Sequence, residues 1–600
     1  MALVLVSNLA QAADVAAPPS APVGSANSAA ATAVGSPRAV YQPTGAPADP
    51  RVDVRWNIYH DYDASTRILQ ALAAAHPRLA TLSSLGKSTD KREMWVLTIA
   101  NPGTGSLEEK AAFWIDGGIH ANEIQATEVT LYTAWYLLES YGRNERVTSL
   151  VNERVFYICP MLSPDSRDAH FYRANTTHTP RTGQVPVDDD QDGKFNEDPP
   201  NDLNGDGHIT QMRRRDPNGN QKPHPDFPDL LIPAKLDEPG EYTLLGEEGY
   251  DDDGDGRVNE DGDGRYDPNR DWAWNWQPRH VQNGAHRYPF SLPENRVVAE
   301  FIMRHPHIAG AQSYHNTGGM ILRGPGARDD RYEAADLAVY DQLGKRGESM
   351  LPGYRYINIA EDLYEVYGGS VDWLHQMNGV FTFTNELFTP FNFQRKEVGG
   401  EPFARPELLH QFNRDLLLGD GLVKWQTVTH PKYGQIEVGG MKKNWVRQPP
   451  SFLLEEECHR NMAFTLYHAD QMPRVAIQSA VSKALTAEKT DQPLYEVTAV
   501  IINEKLIPTH AAVDVKHNIN PPDKVTLSGD NLTVLASQWS EEPFFEKPRT
   551  TRKNPREVRL PNLPGKGARY IKWIIQGSGP GNVRVQSVKG GVAEKTVKVQ

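Results

Sequence analysis

Cysteine and long apolar runs are both scarce in this chain of 600 residues. Only Cys159 and Cys458 are present, too few to identify a redox compartment, and Cys159 lies in an apolar run that predicts a small buried side chain rather than a disulfide partner. No apolar run approaches the roughly 20 residues that a membrane-spanning helix needs. Hydrophobic residues make up 38% and charged residues 23%, a balance that is typical of a globular protein with a sizeable core.

Basic surface is lacking as well. The formal net charge is -14, and nearly all of the excess lies in residues 188–206 and 251–263, where acidic side chains greatly outnumber a single basic one in each stretch. Outside these two stretches the chain is almost neutral, so nothing indicates a nucleic-acid surface. Acidity this local predicts that cations bind there.

The two ends of the chain differ from its middle in amino-acid composition. Residues 1–12 end in the small-residue pattern of a secretory cleavage site, which predicts a secreted or periplasmic protein; a disordered Ala-rich tail is the alternative, since a basic start is missing. Residues 13–50 are rich in Ala and Pro and predict a flexible linker. We expect a first folded domain at 51–430, a connecting region at 431–474 and a second domain at 475–600.

Strands and amphipathic helices alternate in the first of these domains. The pattern predicts an α/β fold with a largely parallel or mixed central sheet flanked by helices. After residue 475 short β-rich runs separated by Gly, Pro and Asn predict a C-terminal β-sandwich. Chemistry in α/β folds collects at the carboxyl ends of strands. His120, His315 and Glu386 each lie just beyond a predicted strand.

The segment His120-Ala-Asn-Glu123 follows a strand and two glycines and precedes a predicted helix. An imidazole and a carboxylate three residues apart at such a turn can both reach one cation. Alone, this spacing arises often by chance. A metal site needs a third ligand, a base and groups that hold a substrate.

Further segments supply these groups. The order of these segments and the motifs in them resemble those of the zinc carboxypeptidases of the carboxypeptidase A type. The resemblance spans roughly residues 55–430. Its matching pieces are His120-Ala-Asn-Glu123, Ser163-Pro-Asp165, Asn269-Arg-Asp-Trp272, Ser313-Tyr-His-Asn316, Tyr364 followed by Gly368-Gly-Ser-Val-Asp-Trp373, and Phe381-Thr-Phe-Thr-Asn-Glu386-Leu387.

The resemblance implies a catalytic centre. His120, Glu123 and His315 would hold one zinc ion and leave a fourth position open, as a catalytic site requires. Glu386 would be the general base that takes a proton from the attacking water and passes it to the leaving amine. An arginine that steadies the oxyanion is expected between the Pro-Asp segment and Asn269; Arg181 fits that window best, with Arg173 and Arg213 as alternatives.

The resemblance also implies which residues bind the substrate. Asn269 and Arg270 would hold the terminal carboxylate, which separates an exopeptidase from an endopeptidase. Tyr364 matches the mobile tyrosine that closes over the substrate, with Tyr367 as a close competitor. Val371 matches the base of the side-chain pocket and favours neutral or apolar C-terminal residues.

An insertion at about 185–265 carries three motifs that begin like calcium loops. Each has alternating oxygen ligands followed by Gly at the sharp turn, but none has the Glu that closes an EF-hand at position twelve. A solvated acidic loop is the alternative interpretation. The calcium ligands predicted from the motifs are Asp188, Asp190, Asp192, Asp202, Asn204, Asp206, Asp251, Asp253 and Asp255.

Together these features predict a zinc-dependent metallocarboxypeptidase that cleaves the last peptide bond of peptides or proteins, with structural calcium in the insertion. Departures from the family pattern, such as Asn122 in place of an arginine in the first zinc motif, leave the substrate open. One alternative is an amidohydrolase of cell-wall peptides with the same fold. Another is a calcium-dependent binding protein whose peptidase domain is inactive.

Overall fold

The computed structural model describes residues 44–600, apart from 182, 187, 189–191, 260–265, 390, 392–394, 396–404, 446 and 486–492. The predicted signal segment 1–12, most of the predicted linker and Asp190 lie outside the described residues. In the described part of the chain, no helix is long and apolar enough to cross a membrane.

Helices and strands alternate through the first two thirds of the chain, and strands dominate the remainder. The helices are α1 Tyr62–Ala75, α2 Gln125–Ser140, α3 Glu145–Glu153, α4 Pro164–Tyr172, α5 Pro293–Arg304, α6 Ala334–Met350, α7 Ile359–Asp362, α8 Ser370–Asp372, α9 Pro406–Leu416, α10 Ser451–Asp470 and α11 Ala512–His517. A π-helical turn spans Trp373–Met377, and 3-10 turns span Pro102–Thr104, Leu107–Glu109 and Pro268–Arg270.

The strands are numbered in chain order. They are β1 Ala80–Lys87, β2 Glu93–Ile99, β3 Ala111–Gly117, β4 Arg154–Cys159, β5 Gln211–Arg215, β6 Gln221–Pro223, β7 Leu231–Pro233, β8 Tyr242–Glu247, β9 Ile308–Asn316, β10 Met320–Arg323, β11 Arg355–Asn358, β12 Phe381–Leu387, β13 Leu422–His430, β14 Gly434–Met441, β15 Val475–Ala484, β16 Leu494–Asn503, β17 Asp523–Ser528, β18 Thr533–Ser540, β19 Arg549–Thr550, β20 Glu557–Leu560, β21 Ala568–Gln576, β22 Gly579–Ser587 and β23 Gly591–Val599.

In the described residues, eight strands form a central mixed sheet in the order β1-β2-β4-β3-β9-β12-β10-β11. Strands β4, β3, β9 and β12 run parallel to their neighbours in this series, whereas β10 is antiparallel to β12. Strands β3, β4 and β9 are buried at every position, because helices cover both faces of the sheet. The predicted α/β class with a mixed central sheet is confirmed.

Helices pack against the two faces of the central sheet and divide the core. On one face, α1, α2, α6 and α10 enclose the larger cluster of buried side chains, which includes Phe113, Tyr314 and Phe464. On the other face, α5 and two tryptophans, Trp272 and Trp373, complete a second cluster. Burial on both faces fixes the position of the strand ends that carry the candidate site.

A second sheet is built largely from the insertion. Strands β5 to β8 lie within residues 211–247 and pair with β13 and β14 in the order β13-β14-β5-β8-β6-β7. The region 431–474, expected from the sequence to be a connector, therefore carries strand β14 of this sheet. It also carries α10, which packs against α2 in the main core.

The last part of the chain forms two further sheets with the orders β15-β16-β21-β18-β19 and β20-β17-β22-β23. Their inward side chains, such as Val497, Val525 and Trp573, share one separate hydrophobic core. Such a pair of sheets is a β-sandwich. Residues 49–600 nevertheless form one compact unit.

Candidate metal centre and active site

The turn between β3 and α2 presents His120 and Glu123 at the carboxyl edge of the central sheet. Two glycines make this turn possible. A Cβ at Gly117 would lie 2.6 Å from the carbonyl oxygen of Ala126, and Gly118 has a φ of +67°, a conformation that other residues rarely adopt. The local sequence therefore fixes where the two candidate ligands emerge.

The side chains of three candidate ligand residues converge at this edge. The Nδ1 atoms of His120 and His315 lie 3.1 Å apart, and each lies 3.0–3.1 Å from a carboxylate oxygen of Glu123. A tetrahedral zinc with bonds of about 2.0–2.1 Å places its ligand atoms about 3.4 Å apart, so this donor set fits zinc. All three side chains are buried. Burial alone raises the pKa of Glu123, but the two imidazoles outweigh it and hold this pKa well below its usual value.

Asp267 is a site residue that the sequence analysis missed. Its Oδ1 lies 2.8 Å from Nε2 of His120, the ring nitrogen that does not face the other ligands. A carboxylate in this place fixes the orientation and tautomer of a ligating imidazole. Burial raises the pKa of Asp267, but Arg270, His120 and Arg181 together keep it well below its usual value. Its position two residues before Asn269 is the signal that could have identified it.

Glu386 lies beside the three candidate ligands. It pairs in register with His315 between the parallel strands β12 and β9. Burial raises its pKa to about 7, Glu123 adds to this effect, and His315 and Arg181 oppose it. Positive charge added at the ligand cluster would lower this pKa and favour the carboxylate, the form that can accept a proton.

Arg181 joins the candidate ligands to Asp267. Its Nη1 donates to Glu123 Oε1 at 2.9 Å, and its Nε donates to Asp267 Oδ2 at 3.3 Å. Its carbonyl oxygen also accepts a hydrogen bond from the backbone of Ala121 at 3.3 Å. Burial acts to lower the pKa of Arg181, but the neighbouring carboxylates overcome it and raise this pKa, so the guanidinium stays charged.

The two alternative arginines have other partners. Arg213 donates to Glu437 at 2.7 Å and stacks on Trp425 in the second sheet. Arg173 lines the same cavity as Arg181 and donates to Gln184 at 3.1 Å. Arg181 contacts a candidate metal ligand, with its Nη1 2.9 Å from Glu123 Oε1.

Asn269 and Arg270 lie on the 3-10 turn that follows Asp267. The Asn269 side-chain oxygen accepts a hydrogen bond from the backbone of Ser370 at 2.9 Å, which ties this turn to the Gly-Gly-Ser segment. Arg270 donates from Nη1 to the carbonyl of Asn269 at 2.8 Å, and its Nη2 lies 3.7 Å from Asp267 Oδ2. Arg270 thus lines the cavity beside the candidate metal centre.

Tyr364 and Val371 flank the Gly-Gly-Ser segment. The Tyr364 side chain is 49% exposed and lines the same cavity as Arg270, so it can move without breaking core packing. Val371 is buried in an apolar cluster with Met320 and Val366, among others. Tyr367 is held through its backbone, which donates to Gln282 at 2.9 Å.

A cavity of about 1000 Å³ is lined by residues of the candidate site and of the acidic insertion. Its lining includes Arg181, Asp267, Arg270 and Tyr364. Residues 196, 199–200 and 258–259 of the insertion line it as well. The insertion therefore forms part of the wall of the candidate substrate cleft.

The three acidic motifs share one turn geometry. In each, the backbone N–H of the glycine at position six donates to the carboxylate at position one: Gly193 to Asp188, Gly207 to Asp202 and Gly256 to Asp251, at 2.7–3.2 Å.

The carboxylates of the third motif are close together. Those of Asp251, Asp253 and Asp255 lie within 4.8 Å of one another. In the part of the chain that the structure describes, Asp188 Oδ1 and Asp206 Oδ2 are buried and accept no hydrogen bond.

The first and third motifs are also connected to each other. The buried carboxylate of Asp198 accepts hydrogen bonds from the backbones of Asp252 at 3.2 Å and Asn259 at 2.8 Å. Asn259 lines the cavity, so the acidic turns and the cleft wall form one continuous structure.

Comparisons with known proteins cover both halves of the molecule. The zinc carboxypeptidase family profile matches residues 65–224 and 247–398, and the profile of a domain of unknown function matches residues 480–598. Carboxypeptidase D of Homo sapiens is 36% identical over 110 residues, which are 18% of this chain and 8% of that protein. Carboxypeptidase B of Astacus astacus is 34% identical over 110 residues, which are 18% of this chain and 34% of that protein.

The aligned segments thus span well under two thirds of these relatives. Among solved structures, carboxypeptidase A from Helicoverpa armigera is 19% identical, with 62% of this chain and 74% of that chain covered and a TM-score of 0.40. The family profile, in contrast, covers more than half of the chain and includes every residue of the candidate metal centre. This protein belongs to the zinc carboxypeptidase family.

Proposed function

We propose that this protein is a zinc-dependent metallocarboxypeptidase that hydrolyses the C-terminal peptide bond of peptides and prefers neutral or apolar C-terminal residues. The observation that carries the proposal is the convergence of His120, Glu123 and His315, with Glu386 beside them and Arg270 on the wall of the same cleft. A metal site, a base and a fixed cation for a carboxylate are the parts that this reaction needs.

Zinc held by His120, Glu123 and His315 would supply a Lewis acid that polarises the scissile carbonyl and makes water a better nucleophile at neutral pH. Glu386 takes the proton from that water and delivers it to the leaving amine. Arg181 donates toward the oxygen that gains charge as the carbonyl is attacked, and its contacts with Glu123 and Asp267 hold it in place.

Substrate recognition rests on charge at one end and apolar packing at the other. Arg270 and Asn269 bind the terminal carboxylate, for which the planar guanidinium fork is well suited. Tyr364 closes over the bound residue. The apolar cluster around Val371, which includes Met320 and Val366, receives the C-terminal side chain.

We also propose that calcium stabilises the acidic insertion. The repeated turn geometry of its motifs, the close carboxylates of Asp251, Asp253 and Asp255, and the unpartnered oxygens of Asp188 and Asp206 support this. The remaining ligands we propose are Asp192, Asp202 and Asn204, with Asp190 from outside the described residues. Calcium there would shape the wall of the cleft and take no part in the chemistry.

Metal analysis combined with a substrate panel tests the main proposal. We expect one zinc per chain and cleavage of peptides with a free C-terminus, with little cleavage of the same peptides amidated, since an amide gives Arg270 no negative charge to bind. Muropeptides belong in the panel, because the large cleft also favours a cell-wall substrate. Equal cleavage of free and amidated peptides would contradict the assignment as a carboxypeptidase.

A further inference from the structure

The two segments that carry the candidate metal ligands are the turn after β3 and the carboxyl end of strand β9. They are connected by a dipeptide from another part of the chain, Arg447-Gln448. Both residues lie beyond the family match, which ends at residue 398. Gln448 is completely buried, and Arg447 is largely buried, with 14% of its side chain exposed. The pair follows β14, in the region that the sequence had marked as a connector.

The Gln448 side chain binds the backbone of the turn after β3. Its Nε2 donates to the carbonyl of Asn122, and its Oε1 accepts from the N–H of Gln125 at 3.4 Å. Asn122 immediately precedes the ligand Glu123. These contacts therefore act on the peptide units on both sides of a metal ligand, and they involve no net charge.

Arg447 binds the end of strand β9 and also reaches Glu123 in the turn after β3. Its Nη1 donates to the carbonyl of Asn316 at 2.7 Å and lies 3.5 Å from Glu123 Oε1. Its own carbonyl accepts from Asn316 Nδ2 at 3.2 Å. Asn316 follows the ligand His315 directly, so Arg447 acts on the backbone beside the third ligand.

Asn316 completes the network between the end of β9 and the turn after β3. Its backbone N–H donates to Glu123 Oε2 at 3.1 Å, and its side chain donates to Gln125 Oε1 at 2.7 Å. Asn316 therefore joins the residue after His315 to Glu123 itself and to Gln125, two residues after Glu123. Outer contacts of this kind orient metal ligands, and removing one lowers metal affinity by roughly 10–100-fold in known sites.

We propose that Arg447 and Gln448 form a clamp that positions Glu123 and His315 and thereby sets the affinity of the site for zinc. The inference rests on the metal centre of the proposed function and assigns a role to residues that the family match leaves out. Asn122 stands where the family often has an arginine, and Arg447 brings a guanidinium to the same loop from elsewhere in the chain.

Removing the charge of Arg447 and removing its hydrogen bonds are expected to change zinc affinity in opposite directions. Loss of a positive charge close to Glu123 would by itself strengthen zinc binding, because it removes repulsion between two cations. Loss of the clamp would weaken zinc binding, because the turn after β3 and the end of β9 lose their connection. Gln448 carries no charge, so a Gln448 variant reports on the clamp alone.

The test measures the zinc dissociation constant of the full chain by competition with a chromophoric chelator. We expect Arg447→Ala and Gln448→Met each to raise it roughly 10–100-fold, with Arg447→Lys intermediate. Arg460→Ala is the matched control: it removes a surface arginine paired with Glu456 at 2.9 Å and is expected to leave zinc affinity unchanged. Thermal unfolding with excess zinc identifies any variant that does not fold, and the remaining variants then decide the question.

Folded variants that bind zinc as tightly as the wild type, or more tightly, would overturn the clamp. A raised KM with unchanged zinc affinity would also overturn it and would place Arg447 on the substrate instead. A wild-type protein that takes up no zinc contradicts the proposed function and the clamp together. Wild-type uptake with unchanged variants contradicts the clamp alone.

Discussion

His315 and Glu386 occupy partnered positions on the parallel strands β9 and β12. The register of the sheet therefore places the candidate general base next to the third candidate ligand. Both residues lie at the carboxyl end of a strand, where α/β folds concentrate their reactive groups. The spacing between base and ligand is thus set by backbone hydrogen bonds of a buried sheet, which hold it more rigidly than a loop could.

Replacing Glu386 by Gln removes the proton acceptor and nearly conserves shape. We expect kcat for a free C-terminal peptide to fall roughly 10²–10⁴-fold, because general-base catalysis contributes about that much. Zinc content, measured on the same preparation, is expected to stay at the wild-type level, since Glu386 is not one of the three ligands. An unchanged turnover would exclude Glu386 as the base.

Replacing Arg270 by Ala removes the cation that we propose binds the terminal carboxylate. The kcat/KM for free C-terminal peptides is expected to fall roughly 10–100-fold, the equivalent of one charged hydrogen-bonding interaction. Cleavage of amidated peptides, already weak, should change little. Arg414→Ala is the control, because this exposed arginine pairs with its neighbour Asp415. An equal loss on both substrates would mean that Arg270 supports the fold instead.

Replacing Val371 by Asp places a carboxylate in the apolar cluster that we propose receives the C-terminal side chain. Activity on peptides ending in Leu or Phe is expected to fall. The ratio of cleavage of Lys-ending to Leu-ending peptides should rise at least roughly tenfold, because a cationic side chain gains a partner and an apolar one loses packing. Competition between the two peptides in one reaction measures this ratio directly. A ratio that stays constant would place the specificity pocket elsewhere.

Removing calcium should affect stability before chemistry. Chelator-treated protein reconstituted with zinc alone is expected to unfold about 2 °C lower than protein with added calcium, since a ligand at about 100 times its dissociation constant stabilises by roughly 2.7 kcal/mol. In the variant Asp253→Asn this response to calcium should be smaller. Full stability and full activity without calcium would contradict the calcium proposal.

The β-sandwich contains a buried histidine, His510, whose raised pKa makes the stability of the fold depend on pH. His510 lies 2.9 Å from Asp514 and 3.2 Å from Asp523. Burial lowers its pKa, but these two carboxylates outweigh burial and raise it to about 9. The stabilisation that this raised pKa provides is therefore complete below an unfolded value of about 6.5 and is lost as pH rises through about 9.

We expect the free energy of unfolding to fall by roughly 3 kcal/mol between about pH 6.5 and 9.5, on the scale of 1.36 kcal/mol per pKa unit. In His510→Gln most of this slope should disappear. His517→Gln, at an exposed position of α11, should keep it. Denaturant unfolding at a series of pH values measures the slope. An identical slope in all three proteins would show that His510 does not cause it.

Local sequence was sufficient for several parts of the molecule. The apolar runs predicted the buried strands, and the mixed α/β class and the family are confirmed. His120 and Glu123 could be paired from the sequence because a turn between a strand and a helix brings residues three apart together. The short β-rich runs after residue 475 likewise predicted the two packed sheets, since alternation of buried and exposed side chains is a local property.

Other parts depend on contacts between distant residues. The insertion supplies strand β5, whose partner β14 begins more than 200 residues later, so no local pattern indicated the second sheet. Asp267 reaches His120 across 147 residues, and Arg447 reaches Glu123 from beyond the family match. Periodicity reports which side of an element is buried, but it does not report which element packs there.

The sequence by itself determined which segments form helices or strands, the family, and the chemical types of the candidate ligands. These follow from neighbouring residues and from sequence motifs shared with the family. The tertiary structure decided which groups face one another: Asp267 and His120, Glu386 and His315, and Arg447 with Gln448 against the two segments that carry the ligands. These relationships arise only when sheet register and core packing fix segments hundreds of residues apart, and that information lies in the fold as a whole.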